Sequence, residues 1–215
     1  MKSSTEILLE NCKRKYDFIK ELEEEVREVF YILKNCYVNK NKILVCGNGG
    51  SAADSDHIVG ELVKGFRKLR PLSEEIKEKY INLFGEKGKK MAEKLQESLP
   101  AINLCAHTSL ITAIINDMGA EEIFSQQIIG YGNEGDILLG ITTSGNSKNI
   151  LHAGMTAKVK KLKTIVLTGR DGGEAKHLFD YSIIVPFVET CDIQNAHIVI
   201  YHLLCAMLEN EFWEK

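Results

Sequence analysis

Residues 43–62 read I-L-V-C-G-N-G-G-S-A-A-D-S-D-H-I-V-G-E-L. An apolar run, Ile43–Cys46, enters a cluster of glycines and a serine and then a segment with helical spacing. That order predicts a strand, a tight turn and a helix, the opening unit of a parallel α/β sheet. Gly47-x-Gly49-x-x-Ala52 also satisfies the G-x-G-x-x-G/A dinucleotide pattern. Such a site needs an acidic residue about 20 positions further on, at the end of the next strand. Here that region is Gly65-Phe66-Arg67-Lys68-Leu69-Arg70, which is basic and precedes no strand. No Gly-Lys-Ser/Thr follows, so the turn is not a Walker loop either. No nucleotide cofactor is expected. Gly49 and Gly50 still allow a ligand close to the backbone, and Ser51 is expected to cap the next helix. The free N–H groups of that helix start suit an anion such as phosphate; a plain glycine-rich turn is the bland alternative.

Working outward, five apolar runs end in turn chemistry: Lys42–Gly47, Ala101–Ala106, Asp136–Ile141, Lys163–Thr168 and Ser182–Pro186. Helical patterns lie between and after them, at about 52–66, 108–131, 147–161, 174–179 and 192–213. Strands alternating with helices predict a doubly wound five-stranded parallel sheet, with chemistry at the carboxyl ends of the strands. Ahead of it, residues 5–37 repeat apolar positions at three- and four-residue steps and read as one long helix, or two in series. Its stripe needs cover, either from its own sheet or from another subunit. Residues 72–99, with six Glu and six Lys, read as two amphipathic helices broken near Gly85 and Gly88, an insertion on the scaffold. The whole, 1–215, is expected to be a single domain: a helical arm at 1–38 and an α/β core at 40–215.

With net charge −3 and dispersed Lys/Arg and Asp/Glu, the chain shows no basic footprint for nucleic acid or membrane. It has no run of 18 apolar residues, and its first twenty lack a signal-peptide core. Six scattered cysteines with no C-x-x-C pair suit a reduced, cytoplasmic protein.

After the third strand comes Thr142-Thr143-Ser144-Gly145-Asn146-Ser147, again opening a helix. Four hydroxyls and an amide around one glycine make a neutral, multi-donor cradle for a phosphate monoester. His57 and Glu61 stand at i and i+4 on one helix face, a spacing that suits a metal ion, a structural hydrogen bond or a solvated surface. Asp54 lies one turn earlier and could orient His57. Among the other histidines, His107 is placed to contact ligand or cap a helix. His152 and His177 fall on solvated helix faces. His197 points about 140° from His202 and reads as packing or interface.

Taken together, C-G-N-G-G-S (46–51), His57-x-x-x-Glu61, Asn116-Asp117 with Glu122-Ile123-Phe124, T-S-G-N-S (143–147), L-T-G-R-D-G-G (167–173), Gln194 and His202 resemble the sugar isomerase (SIS) domain family. More narrowly, they resemble the bacterial phosphoheptose isomerases, which act on sedoheptulose 7-phosphate. The resemblance implies a flavodoxin-like sheet assembled as a homotetramer with sites between subunits. It implies phosphosugar binding by Asn48, Gly49, Gly50, Asn116, Asp117, Thr142, Thr143, Ser144, Ser147 and Gln194, with Ser51 close by. It implies zinc held by His57, Glu61, Gln194 and His202, and Glu61 with His202 as the acid–base pair.

That chemistry is coherent. Moving a proton between adjacent carbons through an enediol needs a base near both carbons, an acid for the oxygens and stabilisation of the oxyanion. Two departures bear on which sugar is used. Where the family commonly shows Arg-Ile-Gln-Glu-x-His, this chain reads Asp192-Ile193-Gln194-Asn195-Ala196-His197, and the 72–99 insertion is long. Gln194 and His202 also lie about 12 Å apart along a regular helix. Sharing one ion would need either an irregular helix start near Cys191 or ligands from two subunits. A non-catalytic phosphosugar-binding adaptor, or an isomerase of another ketose phosphate, are the competing readings.

Overall fold

The computed structural model describes residues 1–214. Five parallel strands form one sheet in the order β2-β1-β3-β4-β5. They are β1 (Ile43–Gly47), β2 (Ala101–Asn103), β3 (Ile137–Ile141), β4 (Lys163–Thr168) and β5 (Tyr181–Ile184). β1 pairs with β2 on one side and with β3 on the other, Val45 standing opposite Asn103 and Leu139. The chain therefore reverses its winding between β1 and β3, and the crevice beyond their carboxyl ends is where ligands bind in such sheets.

Strand alternation sorts the core into two layers. Ile43, Val45, Ile137, Leu139, Ile165, Leu167 and Ile183 face one side; they pack with α3 (Glu23–Val38), α4 (Gly50–Val63) and α10 (Thr190–Trp213). Leu44, Cys46, Leu138 and Val166 face the other, against α7 (Ser125–Tyr131), α8 (Lys148–Val159) and α9 (Ala175–Leu178). β1 and β3 are buried along their whole length, which is why they read as continuous apolar runs.

Several boundaries differ from the sequence expectation. The amino-terminal arm is three helices, α1 (Ser3–Lys15), α2 (Phe18–Glu21) and α3, with breaks at Tyr16–Asp17 and Leu22. The α3 part of its stripe, Val26, Val29, Phe30, Leu33 and Tyr37, is buried on its own sheet, whereas Ile7 of α1 is exposed. β2 stops at Asn103, whose side chain turns the chain by accepting from Cys105 N (2.8 Å) and donating to Asp56 (2.5 Å). The expected 108–131 helix is α6 (Thr108–Asp117), a 3-10 turn at Ala120–Glu122 and α7. Gly119, with φ 111°, makes the break.

The insertion is as expected two helical pieces, spanning α5 (Glu74–Ala92) and interrupted at Gly85 (φ 56°, ψ −134°). Its base is tied down by the Pro71–Gln96 bridge and by Ser73 N donating to Glu97 (3.0 Å). Its Leu83, Phe84 and Met91 remain exposed. Among the described residues, no helix is long and apolar enough to cross a membrane.

The first helix is pinned to the last by Glu211. Its carboxylate accepts from Lys2 N (3.0 Å), Thr5 Oγ1 (3.0 Å) and Lys34 Nζ (2.6 Å). Burial opposes ionisation, but the Lys34 ammonium and the other donors prevail and hold the acid at about 2, below its ordinary 4.5. A depressed folded value adds stability that is complete above the unfolded value and is lost as pH falls. Glu211→Gln should therefore cost roughly 2–3 kcal/mol at neutral pH and almost nothing near pH about 2. Urea midpoints measured across this range check it; a deficit that persists undiminished in acid would show that the carboxylate's charge is not what matters.

Candidate active site

The site is built on α4 and α10, which lie side by side and run in the same direction. Near their starts, the Gln194 amide covers Gly50, so close that a β-carbon there would collide with Nε2. Two turns on, Tyr201 of α10 reaches Asp54 and His57 of α4. Next to it, His202 Nε2 lies 3.3 Å from His57 Nε2, which lies 3.1 Å from Glu61 Oε1. One ligand atom from each of His57, Glu61 and His202 falls within 4.8 Å of the others.

The two glycine- and hydroxyl-rich loops sit at the β1/β3 reversal. Gly49, with φ 56°, turns the chain beyond β1 and starts α4 at Gly50. Ser51 is therefore inside the first turn, buried and not a side-chain cap, because the glycine lets the helix begin a residue early. The second loop is closed by a contact between Thr142 Oγ1 and Ser147 Oγ at 3.1 Å, and its Gly145 lies hard against the Gly172 carbonyl. Asn48 joins the loops: it and Asn149 of α8 exchange two amide hydrogen bonds of 2.9 Å. Thr143 and Ser144 are half-buried on the same turn.

Two groups fall elsewhere. α10 is regular from Thr190, which removes the irregular helix start that would have brought Gln194 towards His202. Gln194 lies with the first loop, about 12 Å along α10 from His202. Asn116 and Asp117 end α6 and are exposed; among the described residues the side-chain bond they make is to each other (2.8 Å). Among the described residues no hydrogen bond ties them to the loops or to the His57–Glu61–His202 cluster.

Among the remaining histidines, His107 stands at the helix start without capping it. His152 is not simply solvated but bonds Glu122 at 2.8 Å. His197 is fully buried, and among the described residues neither ring nitrogen makes a well-formed hydrogen bond; burial lowers it to about 4, against a weaker pull from the Thr168 backbone.

Four contributors escaped the sequence reading. Tyr201 is buried, its hydroxyl 3.2 Å from Asp54 Oδ1 and 3.1 Å from His57 Nδ1. Burial pushes Asp54 up, while the Tyr201 hydroxyl and His57 draw it down. Phe66 stacks on His202, ring centroids 5.5 Å apart. Arg70, fully buried, donates to the carbonyls of Glu61 (2.8 Å) and Leu62 (2.6 Å) at the end of α4 and to Glu209 (2.9 Å) on α10. Glu209 also accepts from the backbone N–H groups of Phe66, Arg67 and Lys68 at 2.8–3.0 Å. The basic run that argued against a dinucleotide site is therefore a strap knotted between the two helices; its Arg70 carried that signal only as charge. Burial, with the neighbouring His57, lowers His202 below its ordinary value, against the pull of Glu61.

A parallel 2-1-3-4-5 sheet with two hydroxyl- and amide-lined loops at its reversal point, and a carboxylate and imidazoles alongside, defines a phosphosugar-handling α/β domain. The SIS domain profile matches residues 9–80 and 83–169, and the chain belongs to the SIS domain family. It is similar to the phosphoheptose isomerase of a Nitratiruptor species, 40% identical over 95% of this chain and 96% of that one. It is 39% identical to a phosphoheptose isomerase of Helicobacter pylori, over 92% of this chain and 89% of that one. Among solved structures, a phosphoheptose isomerase from Francisella tularensis superposes with a TM-score of 0.75 at 31% identity, covering 98% of this chain and 100% of that one.

Removing one partner from a buried ion pair leaves an uncompensated charge and costs about 3–5 kcal/mol. Glu209→Ala should lose that much stability in urea titration and loosen the strap that carries Phe66. A loss under about 1 kcal/mol would mean that the Arg70–Glu209 knot does not hold α4 to α10.

Proposed function

We propose that this chain is an aldose–ketose isomerase interconverting sedoheptulose 7-phosphate and D-glycero-D-manno-heptose 7-phosphate. One arrangement carries the reading: the phosphate cradle lies at the start of α4, and Glu61 of α4 and His202 of α10 gather around His57 further along it. His57 is seven residues beyond Gly50, about 10 Å along the helix. A heptulose phosphate likewise has its phosphate and its carbonyl at opposite ends. The relatives named phosphoheptose isomerase support the same substrate.

In this reading the Gly49–Ser51 backbone and the hydroxyls of Thr142, Thr143, Ser144 and Ser147 hold the phosphate, and Asn48 and Gln194 orient the chain of hydroxyls. Glu61 removes the C1 proton of the ketose and returns it to C2 of the enediol. Its Oε1 faces His57, which leaves Oε2 for the proton. His202 exchanges protons with the two oxygens.

The donor set also fits zinc. Ligand bonds of about 2.0–2.1 Å in a tetrahedron put neighbouring ligand atoms about 3.4 Å apart, against the 3.1 and 3.3 Å found between His57 and its two neighbours. His57, Glu61 and His202 would hold the ion. When bound it supplies a Lewis acid for a carbonyl oxygen. A nitrogen held to a cation has no proton to give, so zinc and the acid role of His202 compete for one atom. His57→Ala separates them: turnover that survives loss of zinc assigns the acid role to His202, and turnover lost in step with zinc assigns it to the ligand set.

Asn116 and Asp117 reach the substrate from a second copy in this proposal. They are exposed beside Leu110, Ile115 and Met118, an apolar face suited to an interface. A homotetramer with shared sites follows, and its six unpaired thiols suit the cytoplasm.

Incubation with sedoheptulose 7-phosphate, followed by NMR, should show the aldose appearing. Glu61→Gln should reduce kcat by about 10²–10⁴-fold. No conversion by the wild-type protein, with or without zinc, sinks the reading in favour of a phosphosugar-binding adaptor or another ketose phosphate. If sites are shared, refolding Glu61→Gln together with Asp117→Ala should restore about a quarter of the activity in mixed tetramers, since neither alone supplies a complete site; no restoration at all would place each site within one chain.

A further inference from the structure

The contact that the proposed reaction leaves unused is the buried hydroxyl of Tyr201, wedged between Asp54 and His57. A phenol has one proton, and an ionised carboxylate can only accept. The Tyr201 proton therefore goes to Asp54 Oδ1, 3.2 Å away. The phenol oxygen is then free to accept, and the atom that meets it at 3.1 Å is His57 Nδ1. That nitrogen must carry a proton, so in the neutral ring the lone pair of His57 sits on Nε2.

Nε2 is the atom that faces Glu61 Oε1 and His202 Nε2. With its lone pair there, two acceptors of the cluster, His57 Nε2 and Glu61 Oε1, confront each other at 3.1 Å. A proton on His202 Nε2 relieves only its own 3.3 Å contact with His57. A cation among the three relieves every contact at once. The ring is further fixed by edge-on packing against Tyr201, centroids 5.5 Å apart, which resists a flip of the imidazole.

We infer that Tyr201 is a positioning residue: relaying from Asp54, it locks His57 in the Nδ1–H tautomer and presents Nε2 as a ligand for a divalent cation. The inference deepens the reading of this cluster as a zinc site and rests on it. Asp54 thus acts on His57 through Tyr201 and not by direct contact.

Hydroxyl deletion in Tyr201→Phe keeps the ring and its packing. Two measurements test the relay. The first is ¹⁵N NMR of the metal-free protein with labelled histidine, which reads the tautomer of His57 without any metal. Wild type should show Nδ1–H, and Tyr201→Phe should shift His57 towards Nε2–H. The second is Zn²⁺ affinity by chelator competition, in which Tyr201→Phe should weaken binding about 10- to 100-fold, the usual effect of losing a partner behind a ligand. Asp54→Asn, which weakens the acceptor at the far end, should move both readouts the same way and replaces Tyr201→Phe should that variant fail to fold. Nε2–H in the wild-type protein, or a Zn²⁺ affinity within about twofold of wild type in both variants, overturns the inference. A wild-type protein that shows the Nδ1–H tautomer yet takes up no Zn²⁺ removes the metal reading while upholding the relay; the two failures are thereby told apart.

Discussion

The parallel lie of α4 beside α10 is the constraint on which the site depends. The cluster is shared between the helices, His57 and Glu61 from one and His202 from the other, so a slide of one past the other by a single residue, about 1.5 Å, would separate them. The Arg70–Glu209 knot resists such a slide, because it ties the last carbonyls of α4 and three strap N–H groups to one position on α10. Carbonyls at a helix end need donors, and buried Arg70 supplies them at the point where α4 hands over to the strap.

A second constraint fixes the other end. The winding reversal leaves a crevice between β1 and β3 that no crossover helix covers. The Asn48–Asn149 amide pair spans it and sets the separation of the two loops. The two loops are therefore registered to the sheet and the His57–Glu61–His202 cluster to the helix pair. α4 belongs to both, and its length fixes the distance between them.

How much of this was legible in the sequence follows from how local each feature is. The strands declared themselves because buried parallel strands are continuous apolar runs, and the loops because glycine and hydroxyl clusters are local signatures. His57 and Glu61 share a face by helical arithmetic alone. Asn103 shows the limit: an asparagine after Ala101 and Ile102 can continue a strand, and only its side-chain bonds to Cys105 and Asp56 end this one. Arg70, Glu209 and Tyr201 act across separations of more than a hundred residues, and no period or motif marks such a pair. Arg70 read only as part of a basic run, because nothing in that run signals the carboxylate that meets it.

The helical insertion obeys the same logic from the opposite side. It is inserted between the strap and β2, and the structure closes its base with the Pro71–Gln96 bridge and the Ser73–Glu97 bond. Gln96 also accepts from the N–H groups of Gly65 and Arg70, both at 3.2 Å. The chain that leaves the strap and the chain that returns to β2 are thus joined at the knot itself. An insertion hung there leaves the register of α4 against α10 untouched whatever its length, because loop length costs little once the ends are fixed. Its place at the knot, away from the two loops, explains how a segment this long is carried without altering the spacing between the loops and the His57–Glu61–His202 cluster.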